Sequence, residues 1–476
     1  MSGADFLAIT PLLVLGAGAV LLMLLIAVRR NFAISLVATL LILGGALLSL
    51  PFAGALAPRR VTDLLLVDGL GLFFIGLLLA ASLVGAVLAY GYARERRGER
   101  EESYVLLLLG TLGGAVLVAS DHFASLFLGL ELLSVSLYGL IAYQRWREAS
   151  LEAGVKYLVL AAVSSAFLLF GMALVYAELG TMSFGPIAAL AGASTISGLV
   201  LPGLALILVG VGFKLAVVPF HMWTPDVYEG APAPVAAFVA TVSKGAMFAV
   251  LLRFFGQIDL HRHEGLLLAL AAIAVASMLG GNLLALSQIN VKRLLAYSSI
   301  AHLGYLLVAF LAGGALGATA ASFYLAAYFA ATLAAFAVVG SLSVTDSPRD
   351  ADRLADYRGL FWRRPWLAAA FGLALLSLAG IPLTGGFLGK FYLALAGLGT
   401  RWWWLVVVLA VGSAIGLFYY LRLATIMFRR PSGREATPPL SRVEAIALAA
   451  LSLAIVFLGV YPGPLIALIQ GALGVV

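Results

Sequence analysis

The chain consists almost entirely of apolar runs about twenty residues long, separated by short polar connectors. A helix of roughly 20 apolar residues crosses the hydrocarbon core of a bilayer, where only helices and closed barrels satisfy all their backbone groups. No alternating ten-residue pattern indicates a barrel. The sequence therefore predicts an all-α polytopic membrane protein, with connectors too short to hold a soluble domain.

The composition agrees with this fold class and narrows the chemistry. Hydrophobic residues make up 63% of the chain and charged residues 11%, whereas about a quarter of a typical soluble domain is charged. The chain has no cysteine, which excludes disulfides, thiolate metal sites, iron–sulfur ligation and cysteine nucleophiles. Any redox centre is therefore expected in another chain. The formal charge of +7 comes from arginines beside helix ends and gives no support for nucleic-acid binding.

Counting the apolar runs predicts about fourteen helices. They cover residues 5–28, 32–53, 68–91, 104–119, 122–143, 153–178, 197–220, 232–256, 265–288, 294–312, 315–343, 365–397, 399–428 and 442–467. The first run lacks a basic leader and a small-residue cleavage site, so we expect a retained helix rather than a removed signal peptide. We interpret residues 1–476 as one membrane domain with three N-terminal helices (1–103), two five-helix groups (104–256 and 264–428) and a C-terminal helix (442–467).

Arginine and lysine are concentrated in every other connector, and cytoplasmic connectors accumulate these residues. One side carries Arg29, Arg30, Arg94, Arg96, Arg97, Arg100, Arg145, Arg147, Lys292, Arg293, Arg349, Arg353, Arg358, Arg363, Arg364, Arg429, Arg430, Arg434 and Arg442. The other side carries only Arg59, Arg60, Arg262 and Arg401. We therefore expect a multi-pass protein of a bacterial-type inner (plasma) membrane, with both termini in the periplasm.

The seventh and twelfth predicted helices contain matched irregularities. Lys214 precedes Pro219 by five residues, while Pro382 and a glycine pair precede Lys390. Proline removes a backbone donor, so breaks at membrane depth persist only where protein or a water-filled cavity satisfies the freed carbonyls. Since these two helices are five apart, helices four to eight and nine to thirteen are predicted to form two inverted five-helix repeats, as in many ion transporters.

Three of only five lysines lie inside apolar runs: Lys214, Lys244 and Lys390. Each central charge costs about 2.5–3.5 kcal/mol to insert, so these lysines and the mid-helix Glu131 together cost roughly 10 kcal/mol before pairing. Burial readily lowers the proton affinity of lysine, whereas arginine stays charged. Lysines in the core and arginines in the connectors therefore favour a proton relay.

Glu131 needs a cationic partner near the bilayer midplane, and Lys214 is the first candidate. Such a pair has coupled proton affinities, so a change in a neighbouring charge can load or release a proton. The alternative interpretation is a static ion pair that fixes helix packing. Lys244 lies too far from either end of its helix to reach the interface easily.

Other ionisable residues are weaker candidates. His221 follows the first break and His302 lies among tyrosines and serines, so each could extend a proton wire or serve only in packing. Lys156 is a secondary candidate that could instead reach the membrane surface. The acidic residues Glu152, Asp226 and Glu229 are expected in connectors as solvated or capping groups. Because no phosphate loop, zinc motif or nucleophile elbow is present, bond-making catalysis within this chain is not expected.

Nearly the whole sequence resembles the antiporter-like membrane subunits of respiratory complex I, NADH:quinone oxidoreductase, and most closely its N subunits. The resemblance is carried by ELLSVSLYGLIAY, EAGVKYLVL, GVGFKLAVVPFHMWTPDVYEGAPAPVAAFVATVSKGAMF, NVKRLLAYSSIAHLGYLL and LSLAGIPLTGGFLGKFYL. Lysine at position 390 argues against the related M subunits, which tend to carry glutamate there. The chain also lacks the lateral extension expected of L subunits.

The resemblance implies a fourteen-helix fold with two inverted five-helix repeats around a polar axis. It also implies roles: Glu131 and Lys214 as the coupling pair, Lys244 as the connecting lysine and Lys390 as the terminal protonation site. By the same resemblance, His221, His302 and Lys156 correspond to supporting positions in the axis.

The implied function is proton translocation in the membrane arm of the complex, coupled to redox energy delivered by other subunits. The chain would then be part of an enzyme, a translocase, without a cofactor of its own. Its partners would be other membrane-arm subunits and the lipid bilayer, while NADH, flavin, iron–sulfur clusters and quinone would be bound elsewhere. Two alternatives remain: a subunit of an Mrp-type cation/proton antiporter, and an inert scaffold whose charges only pack helices.

Overall fold

The structure is a computed structural model that describes residues 1–94, 96, 100–191, 198–258, 263–343, 349–430 and 440–474. Within these residues, twelve helices of at least 18 residues are apolar enough to cross a membrane. Two further crossings are made by pairs of shorter helices, which confirms the prediction of about fourteen. Of the basic residues that indicated orientation, Arg97, Arg262 and Arg434 lie outside the described part.

The first half of the chain contains ten helices and one hairpin. They are α1 (Gly3–Ala8), α2 (Thr10–Val28), α3 (Phe32–Gly54), β1 (Arg59–Val61), β2 (Leu65–Val67), α4 (Gly69–Ala93), α5 (Glu102–Ala119), α6 (Phe123–Ile141), α7 (Glu148–Leu179), α8 (Phe184–Ala191), α9 (Val200–Leu215) and α10 (Trp223–Gly230). The strands pair antiparallel, with Arg60 opposite Leu66. The sequence did not predict this hairpin, because three-residue strands are too short to show periodicity.

The eighth crossing joins the two halves and is a continuous helix from Ala233 to Phe255. It consists of α11 (Ala233–Phe238) and α12 (Lys244–Val250), with π-helical turns at Val239–Ser243 and Leu251–Phe255. Single π turns inside α-helices are frequent at functional sites.

The second half of the chain follows the same plan. Its helices are α13 (Glu264–Leu286), α14 (Val291–Ala312), α15 (Gly314–Leu342), α16 (Leu360–Arg363), α17 (Pro365–Ala379), α18 (Gly385–Leu398), α19 (Trp403–Phe428), α20 (Arg442–Val460) and α21 (Gly463–Leu473), with a 3₁₀ turn at Leu354–Tyr357. The predicted last helix therefore ends earlier than expected, because Pro462 has no backbone N–H to continue it and α21 begins afterwards.

Both predicted breaks are present. The seventh crossing stops where Ala216 takes a left-handed conformation (φ 61°), and α10 follows after a turn. The twelfth stops at Gly380 (φ 86°) and resumes at Gly385. Glycine adopts a positive φ without steric cost, whereas Ala216 does so only at a cost.

Two helix pairs approach closely through matching glycines. A Cβ on Gly113 of α5 would lie 2.5 Å from a backbone nitrogen of α6, and one on Gly129 of α6 would lie 2.7 Å from a backbone nitrogen of α5. Gly281 of α13 and Gly304 of α14 show the same reciprocal contact at 2.8 Å. Small residues allow such close packing in membranes, and these pairs open the two predicted five-helix groups.

Both ends of the described chain lie beside the hairpin. Arg59 of β1 pairs with Asp5 at 2.7 Å, and a Cβ on Gly69 would lie 2.2 Å from the carbonyl oxygen of Ala472. The termini therefore share one side, here called the hairpin side. The opposite side, with most of the arginine-bearing connectors, is called the arginine-rich side.

Candidate functional site

Three lysines lie inside the helix bundle, as the sequence predicted, and all are buried. Lys214 is 2% exposed, Lys244 is 0% exposed and Lys390 is 8% exposed. They belong to three different crossings: α9, the α11–α12 helix and α18. None of them points into lipid, so each ammonium group depends on protein atoms around it.

Lys214 occupies the last turn of α9, just before the break. The negative end of the helix dipole and the free carbonyls of that turn favour a cation there. Its Nζ donates to Ser134 Oγ and Tyr157 Oη, both at 2.8 Å. The ammonium is therefore held between α6 and α7.

Glu131 lies one helical turn before Ser134 on α6, half-buried, and accepts a hydrogen bond of 2.6 Å from Ser165 of α7. Within the described residues, Glu131 and Lys214 do not form a direct ion pair. The carboxylate and the ammonium instead contact the same two helices, α6 and α7, through hydroxyl groups. The two charged groups therefore have separate hydroxyl partners on the same pair of helices.

Lys244 follows the π turn at Val239–Ser243 directly. Its Nζ donates to Ser299 Oγ of α14 at 2.6 Å and lies 5.5 Å from the ring centroid of Tyr228. Tyr228 also donates to Ser299 at 3.4 Å. Among the described side chains, no carboxylate pairs with this ammonium group, so lysine here is stabilised by hydroxyl and ring contacts alone.

Lys390 belongs to α18 but binds the end of the preceding half-helix. Its Nζ donates to the carbonyl oxygens of Leu378 at 3.0 Å and Ala379 at 2.9 Å, and to Ser413 Oγ at 2.7 Å. The two carbonyls belong to the last turn of α17, whose negative dipole end favours a cation. Both broken crossings thus place a lysine at a helix C-terminus.

His302 is buried between Lys244 and Lys390. Its Nδ1 hydrogen-bonds with Tyr324 Oη at 2.5 Å, and its Nε2 with Tyr420 Oη at 3.2 Å. Tyr420 also bonds with Ser298 of α14. Each ring nitrogen therefore faces a hydroxyl that can donate or accept a proton.

These groups form a line of neighbouring side chains that are connected by hydrogen bonds and by ring contacts. From Lys244, contacts lead through Ser299 to Tyr328 Oη at 2.6 Å, and from the Tyr328 ring to His302 at 5.3 Å between ring centroids. The line continues from His302 to Tyr305, 5.6 Å between centroids, and from there to Lys390, whose Nζ lies 5.1 Å from the Tyr305 ring.

The other end of the line connects Lys244 to the first broken crossing. Lys214 donates a hydrogen bond to Tyr157. The ring centroid of Tyr157 lies 4.9 Å from that of Trp223, at the start of α10. Tyr228, one turn further along α10, faces Lys244. The short helix α10, which the sequence did not predict, therefore links the two lysines.

Among the described residues, His221 and Lys156 form no hydrogen bond with the three lysines of this line. His221 is half-buried in the turn between α9 and α10. Lys156 is 43% exposed and pairs with Glu152 at 2.6 Å and Asp226 at 2.9 Å. Its ammonium group therefore lies in contact with two carboxylates and is partly exposed, unlike the three buried lysines.

The acidic residues of α10 differ from the expectation of connector groups. Asp226 and Glu229 lie on a helix, and both pair with Arg293 of α14 at 2.8 Å. The amino-acid sequence alone could not reveal these ion pairs, because the partners are more than sixty positions apart.

Sequence reasoning missed Asp350, whose side chain is 0% exposed. Its carboxylate pairs with Lys292 at 2.8 Å and Arg147 at 2.9 Å, and accepts from Tyr92 Oη at 2.6 Å. Burial alone would raise the pKa of Asp350, but Lys292, Arg147 and Arg96 lower that pKa by more than burial raises it. The cluster ties the connector after α15 to α4, α7 and α14.

Asn282 of α13 was also missed, although an asparagine within an apolar run is itself a signal. It is 1% exposed, donates to Tyr305 Oη at 2.8 Å, and accepts from Tyr419 Oη at 3.0 Å. The hydrogen bond from Asn282 orients the Tyr305 side chain, whose ring faces the ammonium group of Lys390.

Asn282→Leu is expected to lower the free energy of unfolding by about 1–3 kcal/mol, because it leaves two buried tyrosine hydroxyls with fewer partners. Thermal denaturation of the purified protein measures this change. Ser287→Ala, an exposed position on the same helix end, serves as control and should stay within about 0.5 kcal/mol. Equal stability of the two variants would contradict the role assigned to Asn282.

Comparisons with known proteins show which family this chain is similar to. The family model described as "NADH:quinone oxidoreductase/Mrp antiporter, TM" matches residues 120–416. NADH-quinone oxidoreductase subunit N of Ectopseudomonas mendocina is 52% identical, over 98% of this chain and 96% of that protein. A chain of respiratory complex I from Thermus thermophilus is 37% identical, with a TM-score of 0.83, over 96% of this chain and 98% of that one.

A chain of the Mrp complex from Dietzia has the same fold, with a TM-score of 0.84 over 99% of this chain and 97% of that chain, but only 23% identity. At this identity the likeness concerns the fold alone. The relative that shares half of its residues with this chain is a subunit N. The chain therefore belongs to the antiporter-like membrane subunits of NADH:quinone oxidoreductase, within the subunit N family.

Proposed function

We propose that this chain translocates protons as a membrane-arm subunit of NADH:quinone oxidoreductase, along the line from Glu131 and Lys214 through Lys244 and His302 to Lys390. The observation that carries the proposal is the line itself: three buried lysines on three crossings, connected by hydrogen-bonded hydroxyl groups and by contacts between aromatic and imidazole rings. A purely structural role would not require titratable amines that are costly to bury.

The groups around the lysines support transfer rather than permanent charge. Lys244 has hydroxyl partners only, so loss of its proton leaves no unpaired carboxylate behind. The buried hydroxyls of Thr224 and Ser243 have no hydrogen-bond partner among the described residues. Buried polar atoms of this kind in proteins are commonly satisfied by ordered water, which favours a hydrated line.

Redox energy would reach the line as an electrostatic change at Glu131. Because Glu131 and Lys214 contact the same helices without touching, a displaced charge nearby would favour or disfavour their closure. A charge movement of a few ångströms at low effective dielectric is worth several kcal/mol, compared with roughly 4 kcal/mol to move a proton against about 180 mV. The mechanism is therefore energetically adequate.

We further propose that the redox centres and the NADH and quinone sites belong to other subunits. The absence of cysteine from the sequence supports this assignment. Within the described residues, no group of three or more histidine, aspartate or glutamate side chains could hold a metal ion. The arginine-rich side is assigned to the cytoplasm by the distribution of basic residues, so both termini would face the periplasm.

Glu131→Ala and Lys214→Ala are expected to leave the complex assembled while lowering NADH-driven proton pumping severalfold. The reason is that each variant removes one member of the pair through which the coupling charge acts. Dye quenching in inverted membrane vesicles measures pumping, and NADH oxidation with an artificial acceptor measures assembly. Normal pumping in either variant would reject that residue's role.

Sodium exchange by an Mrp-type antiporter is the competing function. It predicts that pumping depends on sodium and that the isolated chain exchanges cations in vesicles. Purification in mild detergent separates the two interpretations, because co-isolation with flavin and iron–sulfur subunits is expected only for a complex I subunit.

A further inference from the structure

An open groove of 720 Å³ lies on the arginine-rich side, between α2, α5 and α6. Its floor is apolar and includes Met23, Val105, Leu106 and Gly139. Gly139 opens this floor, since a Cβ there would lie 2.9 Å from the Leu106 side chain. The four residues lie within two turns of their helix ends, which is the depth of upper acyl-chain carbons beneath a headgroup.

An arginine side chain lies at the opening of the groove. Arg145, in the connector from α6 to α7, is exposed and lines the groove together with Tyr143 and Trp146. Its guanidinium has no hydrogen-bond or ion-pair partner in the part of the chain that the structure describes. Trp146 is 59% exposed, and tryptophan and tyrosine favour the headgroup level of a bilayer.

Among the described residues that line the groove, one side chain is acidic, and it is already paired. Glu102 pairs with Arg30 at 2.7 Å and accepts a hydrogen bond of 3.5 Å from Tyr143 Oη. Among the described lining side chains, the charge without a partner is therefore the positive charge of Arg145. An anion that enters the groove would meet no unpaired carboxylate among these lining side chains.

Further cations lie on the other side of the same aromatic residues. Tyr143 and Trp146 also line a neighbouring cavity of 50 Å³, together with Arg96 and Arg100. Arginine binds phosphate oxygens with several N–H groups in a fixed geometry. Trp146 therefore lines two neighbouring cavities that both contain arginine side chains.

We propose that this groove is a binding site for an anionic phospholipid, with the phosphodiester on Arg145, the glycerol region against Trp146 and an acyl chain over Leu106 and Gly139. Basic pockets between transmembrane helices on the cytoplasmic side recognise anionic headgroups. An apolar floor at membrane depth fits an acyl chain, which free phosphate lacks. The site does not depend on the proton-transfer residues.

Photolabelling of the assembled complex tests the site. The complex is reconstituted in phosphatidylcholine vesicles that contain diazirine-labelled phosphatidylglycerol, and labelled peptides are identified by mass spectrometry. We expect labelling of the α5 and α6 segments that form the floor. Arg145→Gln should lower it severalfold, Arg145→Lys should retain most of it, and Arg429→Gln, an exposed arginine on the same side outside the groove, should leave it unchanged.

Three outcomes would overturn the proposal. Equal labelling of the groove by diazirine-labelled phosphatidylcholine would show that the anionic headgroup is not recognised. Unchanged labelling in Arg145→Gln would show that this arginine does not bind the phosphate. Absence of label from the groove in the wild-type complex would show that a neighbouring subunit covers it. NADH oxidation in the same samples confirms that each variant is assembled.

Discussion

Lys244→Met is expected to slow proton transfer through this chain by about tenfold or more, while the complex still assembles. A positioned acid–base group contributes roughly 10²–10⁴-fold to a proton transfer, and water in its place restores part of that contribution. We expect the largest loss of proton transfer at Lys244, because this side chain is 0% exposed. It also lies between Lys214 and Lys390 in the proposed line. Methionine keeps the length and apolar stem of the side chain.

The measurement is the ratio of protons moved to NADH oxidised in inverted membrane vesicles. This ratio should fall, while NADH oxidation with an artificial acceptor stays near the wild-type rate. Arg401→Gln, an exposed residue on the hairpin side that pairs only loosely with Glu264 at 3.5 Å, serves as control. An unchanged ratio in Lys244→Met would contradict the role of Lys244 as the connecting residue. This conclusion would not depend on the results for the other lysines.

Asp350→Ala is expected to destabilise the protein by about 3–5 kcal/mol, enough to reduce the amount of assembled complex strongly. Removing one partner from a buried ionic cluster leaves uncompensated buried charge. Here Lys292, with its side chain 0% exposed, and Arg147, at 6%, would both lose the same carboxylate. This loss would also affect the candidate site, because Lys292 lies in the first turn of α14, the helix that contains Ser299 and His302.

Immunodetection of the chain in membranes and thermal denaturation of the solubilised protein check this effect. Glu264→Ala removes a carboxylate that is 70% exposed and paired at 3.5 Å, so its cost should stay below about 1 kcal/mol. If Asp350→Ala were as mild as this control, the cluster would not hold the two halves of the bundle together.

The carboxylate of Asp350 is expected to make the stability of the protein depend on pH. Because the folded-state pKa of Asp350 lies below its ordinary value, the stabilisation is present at neutral pH and at all values above the unfolded pKa. It is lost as the pH falls through the folded-state pKa. The difference in thermal stability between wild type and Asp350→Ala should therefore shrink on strong acidification.

Periodicity and composition were sufficient for the outline of the fold. Helix count, the two breaks and the burial of three lysines followed from residue types along the chain, since an apolar run of membrane length has few alternative structures. The errors lie where local signals are short. The hairpin at residues 59–67, the short α8 and the separate α21 lack the length over which periodicity can be recognised.

The contacts of the site show where sequence reasoning stops. Lys214 was the first candidate partner for Glu131. In the structure, Ser165 hydrogen-bonds with Glu131, while Ser134 and Tyr157 hydrogen-bond with Lys214. Hydroxyl residues are common in membrane helices, and nothing in their spacing identifies which ones face a lysine. Lys156 was a secondary candidate, and its half-exposed ammonium group pairs with Glu152 and Asp226, two contacts that the sequence did not indicate.

The sequence by itself determined that this chain is a helical membrane protein with titratable amines inside it, because hydrophobicity and charge cost are properties of each residue. Only the tertiary structure decided which groups meet those amines. Ser299 against Lys244, the carbonyls of Leu378 and Ala379 against Lys390, and Asp350 against Lys292 are contacts between segments distant in sequence. Such contacts depend on how helices pack and where they break, so they become visible only once the bundle is assembled.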